Sequence, residues 1–263
     1  MRETNRSARR ILITGATGAI GGALAEAYAA PGVELHLHGR NAALLAAVAG
    51  RCRALGAAVV TQVGDVRDSR ALADWLAELC REGTPDLAIL NAGMNTNIGP
   101  AGEGEPWPEV EAVLDINVKA TLAMVNGLLP GMRRRGAGQI ALVSSLAGYF
   151  GLPVTPTYCA SKAAVKAYGE ALRGWLAPEG IRINVVMPGY VSSPMCDAMP
   201  GPKPFLWSPQ RAARVIRRGL ERDRARISFP FPLNLGAWFL AVLPAALSLR
   251  IVRLLGYRQT GRP

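Results

Sequence analysis

Lysine is scarce in this chain: four residues, Lys119, Lys162, Lys166 and Lys203, stand against 26 arginines. Cysteine is as sparse. Cys52, Cys80, Cys159 and Cys196 fall in no CxxC or CxxH spacing, which excludes a zinc ribbon and a disulfide framework, and no metal is expected. Scattered thiols suit a reducing compartment. The opening "MRETNRSARRILITGATGA" is basic and then apolar, but its apolar part is only Ile11, Leu12 and Ile13. That is too short for the core of an export signal, so a cytoplasmic protein is expected. There is no internal repeat, no low-complexity tract and no linker before about residue 200, which excludes a solenoid and a hinged pair of domains over that stretch.

What is present suits one large α/β domain. Of 263 residues, 50% are hydrophobic and 19% charged, enough for a sizeable core. Apolar runs at 10–14, 33–39, 58–65, 86–91, 138–145 and 181–189 read as strands. Stretches at 20–30, 41–55, 69–82, 107–132 and 156–177 read as helices between them. Such alternation predicts a doubly wound Rossmann-type parallel sheet, buried on both faces, with a ligand at its switch point. The division expected is a catalytic domain over residues 1–226, with its core at 9–200, and a C-terminal extension over 227–263.

"TGATGAIGG" follows the first strand and opens a helix. Gly15 would permit a tight turn, Gly18 a close approach of pyrophosphate, and Gly21 close helix–strand packing. Glycine turns also serve packing alone; the strand–turn–helix setting favours a dinucleotide. Gly39 lies 24 residues after Gly15 and is followed by Arg40. An enzyme built for NAD carries an acid here for the ribose 2′-hydroxyl. Glycine removes that repulsion and a guanidinium matches a 2′-phosphate, so NADP(H) is expected over NAD(H); the competing reading is a surface arginine at a helix start. Asp65 in "GDV" would meet the adenine amino group, or merely form a helix-entry turn.

Tyr158 and Lys162 stand four apart in "YCASK" and share a helix face. A phenol with a pKa near 10 is a poor base at neutral pH, and a neighbouring ammonium is expected to lower it. Lys166, one turn on, reads as a solvated residue.

"TGATGAIG", "NAG" at 91–93, Asn117 in "DINVKA", "VSSLAG" at 143–148, "YCASK" and "PGYVSSP" at 188–194 together resemble the short single-domain branch of the short-chain dehydrogenase/reductases, over about residues 9–200. The resemblance implies Tyr158 as general acid/base, Ser145 polarising the substrate carbonyl thirteen residues before it, and Ser144 as structural. It implies Lys162 on the nicotinamide ribose, and Asn117 anchoring a water in a proton relay. Cofactor contacts are implied at Gly15, Thr17, Gly18, Ile20, Gly21, Arg40, Asp65, Val66, Asn91, Ala92, Gly93, Tyr158, Lys162, Pro188, Gly189, Val191 and Ser193. Two departures stand out. Ala19 sits where this branch usually has glycine, a variant common in the longer epimerase-like branch. The frequent glycine-rich final strand is replaced by "ARISFPFPLNLGAWF".

Charge is uneven. Residues 1–202 hold 18 basic and 17 acidic residues, and residues 203–263 hold 12 and 2. Ser208-Pro209 opens an arginine-rich helix. Residues 227–249 then carry no charge, and Arg250, Arg253 and Arg258 follow. This extension reads as an interfacial anchor on an anionic membrane, an oligomer interface, a substrate lid, or a short span interrupted by Pro244. Ahead of it Met195, Met199, Phe205 and Trp207 would form an apolar lid facing Tyr149 and Phe150, or pack as ordinary core. The reading is an NADP-dependent oxidoreductase of a hydrophobic alcohol or ketone, forming a homodimer or homotetramer through helices 107–132 and 156–177. The alternative is a catalytically silent dinucleotide-binding regulator. Nucleic acid is not expected, because a long apolar run interrupts the basic residues of the tail.

Overall fold

The computed structural model describes residues 9–99 and 101–257. Seven strands form one parallel sheet: β1 (Arg10–Thr14), β2 (Glu34–Gly39), β3 (Ala58–Val63), β4 (Leu87–Leu90), β5 (Gly138–Val143), β6 (Ile181–Pro188) and β7 (Arg226–Phe229). Their order is β3-β2-β1-β4-β5-β6-β7, so the winding reverses between β1 and β4, where a crevice opens at the strand ends. β4 and β5 are buried at every residue, as a sheet covered on both faces requires.

Successive residues of β1 feed opposite layers. Ile11 and Ile13 join Leu24, Leu45 and Ile216 beneath α1 (Ala19–Tyr28), α2 (Ala42–Ala54) and α8 (Pro209–Glu221). Leu12 joins Leu76, Leu128 and Val165 beneath α3 (Ser69–Glu82), α5 (Ala120–Arg135) and α6 (Pro156–Leu176). The helix starts follow side-chain capping. Asn41, Asp68 and Ser208 accept from the backbone N–H groups of Leu44, Ala71 and Arg211 at 2.9, 3.0 and 3.3 Å.

The predicted helix at 107–132 runs from α4 (Trp107–Leu114) through a π-turn at Asp115–Lys119 into α5. By length and composition Trp107–Arg135 could cross a bilayer, but its most apolar stretch is 50% buried, and Met124, Val125 and Leu128 lie in the core. The uncharged run at 227–249 becomes most of β7, then a turn, then α9 (Leu233–Val242) and the start of α10 (Ala245–Leu254). Pro244 separates these two helices.

One boundary changes here. The boundary drawn at residue 226 falls at the first residue of β7, so the sheet extends to Phe229 and the extension proper begins at Pro230. The glycine-poor "RISF" also occupies the seventh strand position. Ile227 and Phe229 alternate inward, and the strand pairs with β6 from Val185 to Pro188. Arg258 lies outside the described residues.

Candidate active site

The glycine turn is shaped by what surrounds it. Gly15 is left-handed at φ +66°, and a Cβ there would stand 2.9 Å from Ala92 Cα. A Cβ on Gly21 would stand 2.2 Å from the Gly15 carbonyl oxygen and 2.7 Å from Asn91 Nδ2. Both positions therefore exclude side chains. Gly18 caps α1 in an extended conformation and Ala19 is its first residue, so the alanine departure is absorbed as a normal helix start. Thr14, which sequence reasoning missed, ties the turn together: its Oγ1 accepts from the backbone N–H of Asn91 and Ala92 at 3.1 and 3.2 Å. Asn91 returns its Nδ2 to the carbonyls of Thr14 and Gly15 at 3.1 and 3.2 Å.

One cavity of about 810 Å³ runs from this turn across the ends of the strands. Every predicted cofactor or catalytic residue lines it except Gly21, which packs behind the turn, and Asn117, which is buried. At one end lie Arg40, Asp65 and Val66. Arg67, also missed, grips the Asp65 carboxylate through Nε and Nη2 at 3.0 and 2.6 Å and holds it below the usual carboxylate range. Two guanidiniums thus flank this end. A Cβ on Gly39 would stand 2.8 Å from Thr17 Cγ2, so the acid of an NAD-type site meets a steric obstacle as well as being absent.

The reactive group sits midway. Ser145 opens the 3-10 turn Leu146–Gly148, accepting from Ala147 N at 3.1 Å and donating to the Pro188 carbonyl at 3.4 Å, and its hydroxyl acts on the Tyr158 phenol to lower its pKa. Ser144 turns away, donating to the Lys162 carbonyl at 2.7 Å, which is a structural role. Lys162, 4% exposed, donates from Nζ to the Val143 carbonyl at 2.9 Å and lies 5.6 Å from the Tyr158 ring centroid. Burial pushes its ammonium down to about 8. The expected lowering of the phenol is not what this geometry gives. Desolvation pushes Tyr158 up to about 12, offset in part by the Ser145 hydroxyl, while the ammonium is engaged by the Val143 carbonyl.

Asn117 lies in the π-turn, 1% exposed. Its amide makes three bonds: Oδ1 accepts from Met94 N, and Nδ2 donates to the Met94 carbonyl and Ser161 Oγ, all at 2.9 Å. It braces the loop after β4 against α6. A Cβ on Gly93 would stand 3.2 Å from its Oδ1 and 3.3 Å from Lys162 Nζ, so "NAG", Asn117 and Lys162 close on one point. Pro188 and Gly189 end β6, Val191 bridges to Trp207, and Ser193 caps a short helix, α7 (Pro194–Asp197), accepting from Cys196 N at 3.1 Å.

Beyond Tyr158 the cavity is apolar. Met195, Met199 and Phe150 line it as expected. The other three do not form the lid, and Trp207 takes the core alternative. Trp207 stacks on Phe229 at 5.1 Å beneath Arg211, and Phe205 points outward, 53% exposed. Tyr149 faces a neighbouring groove under Lys166 and Arg226. Nor is Lys166 solvated; it is half-buried and pairs with Glu170 at 2.9 Å. The missing walls come from the extension: Leu233, Ala237, Phe239, Leu240, Val252 and Tyr257 close the chamber.

The chain belongs to the short-chain dehydrogenase family, whose model matches residues 9–201. It is an NAD(P)-dependent dehydrogenase or reductase, which sets the silent-regulator reading aside. It is 34% identical over 239 residues to an uncharacterized oxidoreductase of Myxococcus xanthus, covering 90% of this chain and 94% of that one. A short-chain dehydrogenase from Sphingobium yanoikuyae, solved in complex with NADPH, superposes with a TM-score of 0.78 at 25% identity, covering 97% and 98% of the two chains. A 3-oxoacyl-[acyl-carrier protein] reductase from Brucella melitensis superposes with a TM-score of 0.71 at 27% identity, covering 84% and 88%. Enzymes of this family act on small molecules and are commonly oligomeric.

Proposed function

We propose that the chain is an NADPH-dependent reductase of bulky, apolar carbonyl compounds. The observation that carries this is one continuous cavity, with the Arg40 guanidinium at one end, Ser145 and Tyr158 at the middle, and an apolar chamber at the other. The glycine turn fits a dinucleotide: a Cβ on Gly18 would meet only the Gly15 carbonyl oxygen, at 3.3 Å, so that side of the turn is bare, and the α1 N-terminus there favours a pyrophosphate. Arg40, with Arg67 behind it, would take the 2′-phosphate. Lys162 would hold the ribose and Asn91, Gly93 and Ser193 would line the nicotinamide end. Bound nicotinamide supplies the hydride.

The protein's own part is the proton. Tyr158, raised to about 12, is protonated at neutral pH and so stands as an acid. Ser145, in the same cavity, would present a second hydroxyl to the same carbonyl oxygen and stabilise charge developing there. Lys162, lowered to about 8, is poised to return a proton after turnover. Asn117 Oδ1 accepts from Met94 N alone and so keeps a second acceptor position, where a relay water would be held. Assembly as a homodimer or homotetramer would use the faces of α4 and α6, where Trp107 and Trp175 are exposed.

The test is a panel of ketones, sterols, sugars and β-keto acyl compounds, followed by nicotinamide absorbance with NADPH and NADH. Long apolar ketones are expected to be reduced with NADPH favoured at least about tenfold in kcat/KM. Faster turnover of sugars, or a preference for NADH, sinks the reading.

A further inference from the structure

The extension closes the cavity with one side and leaves the other bare. On α9, Leu233, Ala237 and Leu240 face inward, packed on Leu146, Met187 and Val154. Leu235, Trp238 and Val242 form the opposite stripe and are 44–57% exposed. On α10, Val252 and Ser248 are buried, the Ser248 hydroxyl donating to the Leu240 carbonyl at 2.8 Å and locking the two helices together. Leu247, Arg250 and Leu254 form its outer stripe. Nine of the 19 large apolar side chains exposed among the described residues lie between Phe231 and Leu255. The outer stripes contribute nothing to the cavity wall, so neither folding nor substrate lining accounts for their exposure.

Charge decides what covers them. No acidic residue follows Asp223, and the charges the hairpin itself carries are Arg250 and Arg253, both exposed. A second copy laid on this face by two-fold symmetry would set arginine edge against arginine edge with no carboxylate of the extension to pair them. An anionic lipid surface supplies the missing negative charge together with hydrocarbon for the leucines, and tryptophan sits readily at that boundary. Each helix has 10 residues, about 15 Å at the α-helical rise against a hydrocarbon core of about 30 Å, so the pair lies on a bilayer rather than across it.

We propose that the α9–α10 hairpin docks this enzyme on an anionic membrane, with the substrate chamber facing the lipid. Phe239 and Leu255 are 52% and 57% exposed and also line the cavity, so these side chains belong both to the surface of the hairpin and to the wall of the apolar chamber. A carbonyl compound dissolved in the bilayer then enters without crossing water; this consequence rests on the reductase reading, whereas docking does not.

Full-length protein is mixed with vesicles of POPC alone and of POPC with 30% POPG, then floated on a density gradient. At least tenfold more protein is expected to float with the POPG vesicles, and 0.5 M salt is expected to remove most of that gain. The variant L235E/W238E, altered at two exposed residues that do not line the cavity, is expected to stay at the bottom while reducing a water-soluble ketone at the wild-type rate. Equal flotation with both lipids, flotation retained by the variant, or protein that remains below as an oligomer which the variant dissociates would each overturn the proposal. Flotation by a protein that reduces nothing would support docking and count against the reductase reading alone.

Discussion

The Tyr190 phenol donates to the Tyr257 hydroxyl, 67 positions away, and Tyr257 in turn donates to the Pro202 carbonyl at 3.0 Å. A hydroxyl has one proton, so this order of donors is the only one that satisfies both contacts. The bond chain fastens the end of the extension to the strand end carrying Gly189 and to the loop between α7 and α8. Tyr190 and Tyr257 both line the cavity. The same seam is tight elsewhere: a Cβ on Gly189 would stand 2.9 Å from Pro230 Cδ.

Tyr257→Phe leaves the Tyr190 hydroxyl partly buried without its acceptor, at a cost of about 1–3 kcal/mol. The expected result is a Tm lower by several degrees and a KM several-fold higher for bulky ketones, with kcat largely kept. Adding Tyr190→Phe removes the orphaned hydroxyl and should restore part of the stability. A double variant no more stable than Tyr257→Phe would show that this bond chain does not hold the lid.

Tyr158→Phe keeps the ring and removes the proton. A positioned acid is worth about 10²- to 10⁴-fold, so kcat should fall by that factor while NADPH still binds, as followed by nicotinamide fluorescence. Lys162→Arg should also fail although it keeps the charge, because the site at the Val143 carbonyl is closed and fits an ammonium rather than a planar fork. A Phe variant retaining more than about a tenth of the wild-type rate would show that another group delivers the proton.

The sheet and the site residues were legible because their signals are local. β1 and the glycine turn carry their meaning within a dozen residues, and Tyr158 and Lys162 share a face through helix spacing alone. Thr14 and Arg67 were missed because their partners, Asn91, Ala92 and Asp65, define their roles only after folding. The phenol's direction of shift was missed for a related reason. The i, i+4 spacing brings the ammonium near, but the Val143 carbonyl that engages it comes from β5, and burial is a property of the whole cavity. The extension was read correctly as apolar and basic. That Pro244 would fold it into a hairpin, with inner and outer stripes of different fate, needed the packing against Leu146 and Val154.

Arg40→Asp should weaken NADPH selectively. Loss of a charge-assisted contact is worth about 1.5–3 kcal/mol, roughly 10- to 100-fold in the NADPH/NADH ratio of kcat/KM. Arg67 remains, held by Asp65 at 2.6 Å, so the ratio should fall further in Arg40→Asp/Arg67→Ala. Gly39→Asp should not rescue NADH, because its Cβ meets Thr17. An unchanged ratio in the double variant would place phosphate recognition elsewhere.

Lys162 gives the protein a distinctive stability profile in alkali. Its folded-state value is lowered from 10.5 to about 8, so between those pH values the unfolded chain binds the extra proton. Stability therefore rises with pH across that window, as the cost of burying an ammonium is relieved. The full effect is on the order of 3 kcal/mol. Tyr158 works in the opposite sense: raised to about 12, its contribution is complete below pH 10 and is lost above it. Comparison with Lys162→Met cancels the tyrosine, which both proteins share. Urea denaturation at pH 7.5, 9 and 10.5 should show wild type gaining on the variant at each step. A constant difference would mean that Lys162 titrates alike folded and unfolded, and the proton-return role assigned to its lowered pKa would go with it.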